Sequence, residues 1–236
     1  MADSVPFLGL GEHLFRQASP IQARVGPFTV RADGIDNERE AKQYVAQVVG
    51  TLRMIETTYT GNALITAVRS YHKQVLVFPL EQTDEDGATA WTYPRWGVFP
   101  VVVSFTPLFG QKLRDFLGGN EEDFERIFIP PEVFVHELLH VVRDLSGNFK
   151  RLGDDEEELA TIVASMFSVE INRPPVKGYL EQSDVTGSLA AFSRKCCDDN
   201  FDTIAAFFQQ NRTLAYQLSY AKTAFNPLRL FADENL

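Results

Sequence analysis

Cysteine is nearly absent from this chain: there are two in 236 residues, adjacent at Cys196 and Cys197. Neighbouring cysteines rarely reach the separation a disulfide needs, so a disulfide-stapled scaffold is excluded and two thiols in a reducing compartment are expected. A basic surplus is lacking too. Against 32 Asp and Glu stand 22 Lys and Arg, for a formal net charge of −10. Tracking phosphates takes clustered cations, which argues against a nucleic-acid partner. No apolar run reaches the ~18 residues of a spanning helix, so no membrane span is expected. The first residues carry Asp3 and Glu12 and lack a basic n-region followed by an apolar stretch. A conventional signal peptide is therefore not expected, and secretion would take another route. Histidine is scarce as well, with four in all, which gives weight to any two that fall together.

What is present suffices for one globular core, with 44% hydrophobic residues. Residues 1–25, broken by Gly9, Gly11 and Pro20, are expected to form an arm or secretion segment, and 26–236 a single domain. Short strands are expected near Pro27–Asp33, Gln74–Leu80 and Val98–Phe105, the last at a sheet edge because of Pro100. Between the last two, Glu81–Gly97 is polar and contains Gly and Pro, as a loop would. Apolar residues recur at helical spacing from Asn37 to Thr57, and a second helix is expected at Ala63–Val68. Further helices are expected at Pro131–Leu145, Asp154–Val169, Ser188–Cys196, Phe201–Gln210 and Thr213–Phe225. A few strands followed by many helices argue for an α+β fold.

The chemistry concentrates in Val133-Phe-Val-His136-Glu137-Leu-Leu-His140-Val-Val. On a helix, residues four apart share a face, so both imidazoles point at one spot, where they suit Zn²⁺. Glu137 lies beside them, able to act as general base on zinc-bound water. The surrounding residues are apolar nearly all round, and buried polar groups need partners that a metal would supply. A catalytic zinc also takes a third protein ligand. The following run, Asp154-Asp-Glu-Glu-Glu158, offers several. With Leu159, Ile162, Val163 and Met166 as the buried stripe, Glu157 should face water and Glu158 can reach inward. Asp155 and Glu156 are also within reach, so Glu158 is preferred rather than settled.

His-Glu-Leu-Leu-His followed by Glu-Glu-Leu-Ala-Thr resembles the HELxH and EExxT pair of clostridial neurotoxin light chains. It also resembles the shorter NleD-type zinc metalloproteases that bacteria inject into host cells. Weaker similarities run from Ala41 to Phe225. The resemblance implies a zincin-like fold and one Zn²⁺ held by His136, His140 and Glu158, with Glu157 in the outer shell. It implies a zinc metalloendopeptidase delivered into host cytoplasm, whose protein substrate is a host signalling or trafficking protein. A monomer is expected. It further implies that Arg212 and Tyr216, in Asn211-Arg-Thr-Leu-Ala-Tyr216, stabilise charge on the scissile carbonyl. Their spacing is four where the light chains have three, which still shares a helical face. Strand Val101–Phe105 is expected to pair with extended substrate. The rival readings are a zinc amidohydrolase acting on a small molecule, and a zinc-stabilised adaptor that cuts nothing.

Overall fold

The computed structural model describes residues 21–79, 90–93, 100–105, 107, 129–149, 155–175 and 188–236. Most of the expected arm (1–20) and much of the polar loop after residue 80 lie outside these. The described part is mixed α and β, as expected. Its elements are β1 (Gln22–Val25), β2 (Phe28–Arg31), α1 (Glu38–Glu56), α2 (Tyr59–Ser70), β3 (Val75–Phe78), β4 (Ala90–Tyr93) and β5 (Val101–Phe105). Six helices follow: α3 (Pro130–Leu145), α4 (Asp155–Glu170), α5 (Leu189–Asp199), α6 (Phe201–Gln210), α7 (Arg212–Ser219) and α8 (Pro227–Asn235).

The strands form one sheet in the order β1-β2-β3-β5-β4. The outer pairs β1–β2 and β4–β5 are antiparallel, and the inner pairs β2–β3 and β3–β5 are parallel. Helices α1 and α2 supply the crossover from β2 to β3, since parallel neighbours need a long connection. Gln22–Val25, expected within the arm, is a sheet strand instead. Two other expectations also change. Val101–Phe105 is not at an edge: it lies between β3 and β4, and all five of its residues are buried. Pro100 precedes the first paired residue, where a missing N–H breaks no ladder bond. Among the described strands the edge on that side is β4, from within the segment expected to be a loop.

Helix α1 opens at Asn37, whose side chain accepts from the Arg39 and Glu40 amides, and buries Tyr44, Val45, Val48, Leu52 and Ile55. The Tyr44 hydroxyl donates to the Phe105 carbonyl, 3.2 Å away, fixing the helix to β5. The second helix starts earlier than Ala63, and Gly61 sits inside the first turn of α2, pressed on the Ile55 backbone where a β-carbon would collide.

Helix α3 begins with Pro130 and Pro131, and the Glu132 carboxylate accepts the Ile129 N–H at 2.7 Å. It is buried from Phe134 to Leu145, and Phe134 meets Phe105 of β5 edge-on with centroids 4.8 Å apart. Helix α4 runs antiparallel to it. Ser168 donates to Glu132 at one end, and Arg143 donates to Glu156 at the other. The expected helix Thr213–Phe225 stops at Ser219. The Asn226 amide donates to the carbonyls of Leu218, Ser219 and Ala221, closing the turn before α8.

Candidate metal centre

At about 100° per residue, Glu132, His136, His140 and Arg143 fall within ~80° of arc on α3. They form a polar stripe on a helix whose remaining residues are apolar apart from Glu137 and Asp144. The stripe faces a matching one on α4, where Glu157, Thr161, Ser165 and Ser168 share ~80° of arc. Because the helices are antiparallel, the first turn of α4 meets the His140 end of α3.

There the ligand atoms converge. His136 Nε2 and His140 Nε2 are 3.2 Å apart. Glu157 Oε2 lies 2.9 Å from His136 Nε2, and its Oε1 lies 3.3 Å from His140 Nε2. A tetrahedron with metal–ligand bonds near 2.05 Å has edges of about 3.3 Å; the two Nε2 atoms stand about one such edge apart, and each has a different Glu157 oxygen at a similar distance. One ligand atom from each residue makes a triangle whose corners lie within 4.8 Å of one another. The imidazoles and the carboxylate meet through hydrogen bonds, and all three donors are of types that Zn²⁺ accepts.

The carboxylate that the structure brings to the two histidines is that of Glu157, where the sequence pattern favours Glu158. The difference arises because α4 is buried on every side from Leu159 to Ser168. Its apolar stripe packs into the core, and the face toward α3 is the small polar one. The Glu157 side chain is 45% exposed, yet its carboxylate turns onto the histidines. Glu158 lies about 100° away round the helix; burial and then the charge of Asp155 raise its carboxyl, and its own charge helps raise the Cys196 thiol. Asp155 accepts from Thr203 at 3.0 Å. The buried Glu156 receives two bonds from Arg143, at 2.5 and 3.1 Å, and its Oε1 lies 4.0 Å from His140 Nδ1.

Burial alone would raise the Glu157 carboxyl, but hydrogen bonds from both histidines outweigh it and hold the group far below the usual carboxylate range. Burial likewise acts to lower His140, while the Glu157 hydrogen bond and the charges of Glu137, Glu157 and Glu156 carry it above the ordinary value. Three carboxylates, Glu137, Glu156 and Glu157, thus gather around the two imidazoles, with the Arg143 guanidinium paired to Glu156.

Glu137 is buried beside the triangle and accepts from the Thr92 hydroxyl of β4 at 2.5 Å. Arg143, with no exposed surface, also donates to Asn211 Oδ1 (2.7 Å), Gln210 Oε1 (2.9 Å) and the Asn148 carbonyl (3.0 Å). Neither Thr92 nor Arg143 was expected at the site. Arg143 had a signal, being three residues beyond His140 on a helix with few charges. Thr92 had none, since only the sheet brings it there.

Arg212 and Tyr216 lie elsewhere. The guanidinium sits 5.8 Å over the Tyr216 ring, which meets Phe208 edge-on. Arg212 lines a cavity of about 270 Å³ with Val142 and residues of α2. Val142 is ~140° round α3 from the histidines, so this cavity opens on the opposite flank. Asn211 is drawn inward by Arg143, which leaves its neighbour to begin α7 outside. Among the described residues, the structure does not bring the pair to the triangle.

No family model matches the chain, and no curated protein or solved structure matches it.

Proposed function

We propose that this chain is a zinc-dependent endopeptidase of zincin-like build, with His136, His140 and Glu157 as the metal ligands. The observation that carries the proposal is the convergence of two imidazole nitrogens and the Glu157 carboxylate, all within 4.8 Å of one another, with a further buried glutamate next to them. The HELxH-like sequence supports the same reading, although no matched relative stands behind it. Zinc bound there would supply a Lewis acid for the scissile carbonyl and lower the pKa of an attacking water toward about 7.

The remaining steps belong to the chain. Glu137 takes the proton from the attacking water and hands it to the leaving amine, a service worth ~10² to 10⁴ in rate. Glu156, pinned by Arg143, sets a negative charge behind His140 that favours its cation-binding form. The edge strand argues for a polypeptide over a small amide. β4 pairs only with β5 among the described strands, which leaves its other side to accept an extended chain beside Glu137. No role in the reaction is assigned to Arg212 or Tyr216.

Two measurements test the proposal. Metal analysis of zinc-reconstituted protein should give one zinc per chain, retained in Glu158→Gln and lost in His136→Ala and Glu157→Gln. Fluorescent casein and a cell lysate should be cut by wild type and not by Glu137→Gln. Zinc retention by Glu157→Gln with loss in Glu158→Gln would overturn the ligand assignment. Equal inertness of wild type and Glu137→Gln toward every polypeptide would sink the protease reading.

A further inference from the structure

The carboxylate of Glu137 is buried, and a buried carboxylate costs free energy unless something satisfies it. Among the described residues the satisfying group is the hydroxyl of Thr92, 45 positions away in sequence. Thr92 sits on β4 opposite Val103 of β5, half-buried where the strand crosses α3. Its Oγ1 lies 2.5 Å from Glu137 Oε2 and 3.2 Å from the Glu137 carbonyl oxygen. A threonine hydroxyl has one proton. At these distances it goes to the carboxylate, since charge-assisted O–H···O⁻ bonds run at about 2.5–2.7 Å.

This bond divides the work of the two carboxylate oxygens. Oε2 is occupied as an acceptor, and Oε1 is left to exchange a proton. It also fixes the side-chain rotamer, which nothing on α3 itself would do. Glu137 lies about 100° from His136 and about 60° from His140 round the helix, outside the stripe that packs on α4.

We propose that Thr92 is a positioning residue for Glu137, holding the base at the metal triangle from the edge strand. The inference rests on the protease reading for its consequence in rate, but not for the contact itself. Thr92 touches neither substrate carbonyl nor metal. It acts through Glu137, and it makes β4 and the base one mechanical unit.

The test compares Thr92→Val, which keeps the β-branched shape and loses the hydroxyl, with Thr92→Ser, which keeps the hydroxyl. In zinc-free protein carrying ¹³C-carboxyl glutamate, the resonance absent from Glu137→Gln is that of Glu137. It should move in Thr92→Val and return in Thr92→Ser. With zinc-loaded protein and fluorescent casein, Thr92→Val should lower kcat by about 10- to 100-fold, the scale of a misplaced catalytic group. KM should stay within about twofold and zinc content should be unchanged, and Thr92→Ser should recover most of kcat. An unmoved carboxyl resonance in folded Thr92→Val overturns the proposal, as does unchanged kcat. A loss in both Val and Ser variants, or a rise in KM alone, would assign the threonine to strand structure or substrate contact instead. If wild type cuts no polypeptide, the protease reading fails, while the resonance still decides whether Thr92 holds Glu137.

Discussion

Replacing Arg143 by methionine should be among the most damaging single substitutions in this protein. The guanidinium has no exposed surface and makes five hydrogen bonds, two to Glu156 and one each to Asn148, Gln210 and Asn211. Its partner Glu156 has 3% of its side chain exposed. Removing one member of a buried ion pair leaves the other charged and dry, which costs about 3–5 kcal/mol. For a chain of this size that corresponds to a fall in Tm of roughly 6–20 °C. Urea unfolding should be followed with a chelator present, so that metal linkage does not enter the free energy. The double variant Arg143→Met/Glu156→Leu removes both charges and should recover most of the loss, because an apolar replacement of a buried pair is often neutral. A coupling energy above about 2 kcal/mol from the cycle would agree with this account. Arg143→Met within 1 kcal/mol of wild type would refute it, since the network would then contribute no more than an exposed pair.

Three further outcomes follow from the fold. Gly61→Ala places a β-carbon against the Ile55 carbonyl and side chain, and should cost about 3 kcal/mol or more by urea denaturation; near-wild-type stability would mean that α2 starts later than described. Glu170 accepts from the Thr60 amide and hydroxyl at the start of α2, so Glu170→Ala should lower stability by about 1–2 kcal/mol, and an unaffected Tm would remove its capping role. Burial pushes the Cys196 thiol up to about 12 from an ordinary value near 9. Iodoacetamide at pH 8 should therefore spare it in the native state and label it in urea, and rapid native labelling would contradict the burial. The linkage has a definite sign. The folded thiol titrates above the unfolded one, so its contribution is intact below about pH 9 and is lost as pH rises toward about 12.

What was legible in the sequence was what is local. His136 and His140 announce themselves through a four-residue spacing, and the long helices through their apolar period. Phe201–Gln210 forms over its expected range. What escaped depends on contacts between distant segments. Trp91, Thr92 and Tyr93 are strand-favouring types, but four residues in a polar stretch with Gly and Pro are too short a signal, and their strand character comes from pairing with β5. Pro100 was weighed as an edge marker when it is only a strand-leading residue. The choice between Glu157 and Glu158 turned on which face of α4 meets α3. The apolar residues pointed the wrong way because this helix is enclosed on all sides. Arg212 and Tyr216 keep the shared helical face they were expected to have, but that face looks away from the histidines.

The clamp on Arg143 draws on Asn148 and Glu156 nearby and on Gln210 and Asn211 some 67 and 68 residues downstream. A nascent chain that has not yet reached Gln210 would hold both histidines and the carboxylates around them, yet the guanidinium behind Glu156 would lack two of its acceptors. The last stretch of synthesis thereby completes a network whose centre was made much earlier.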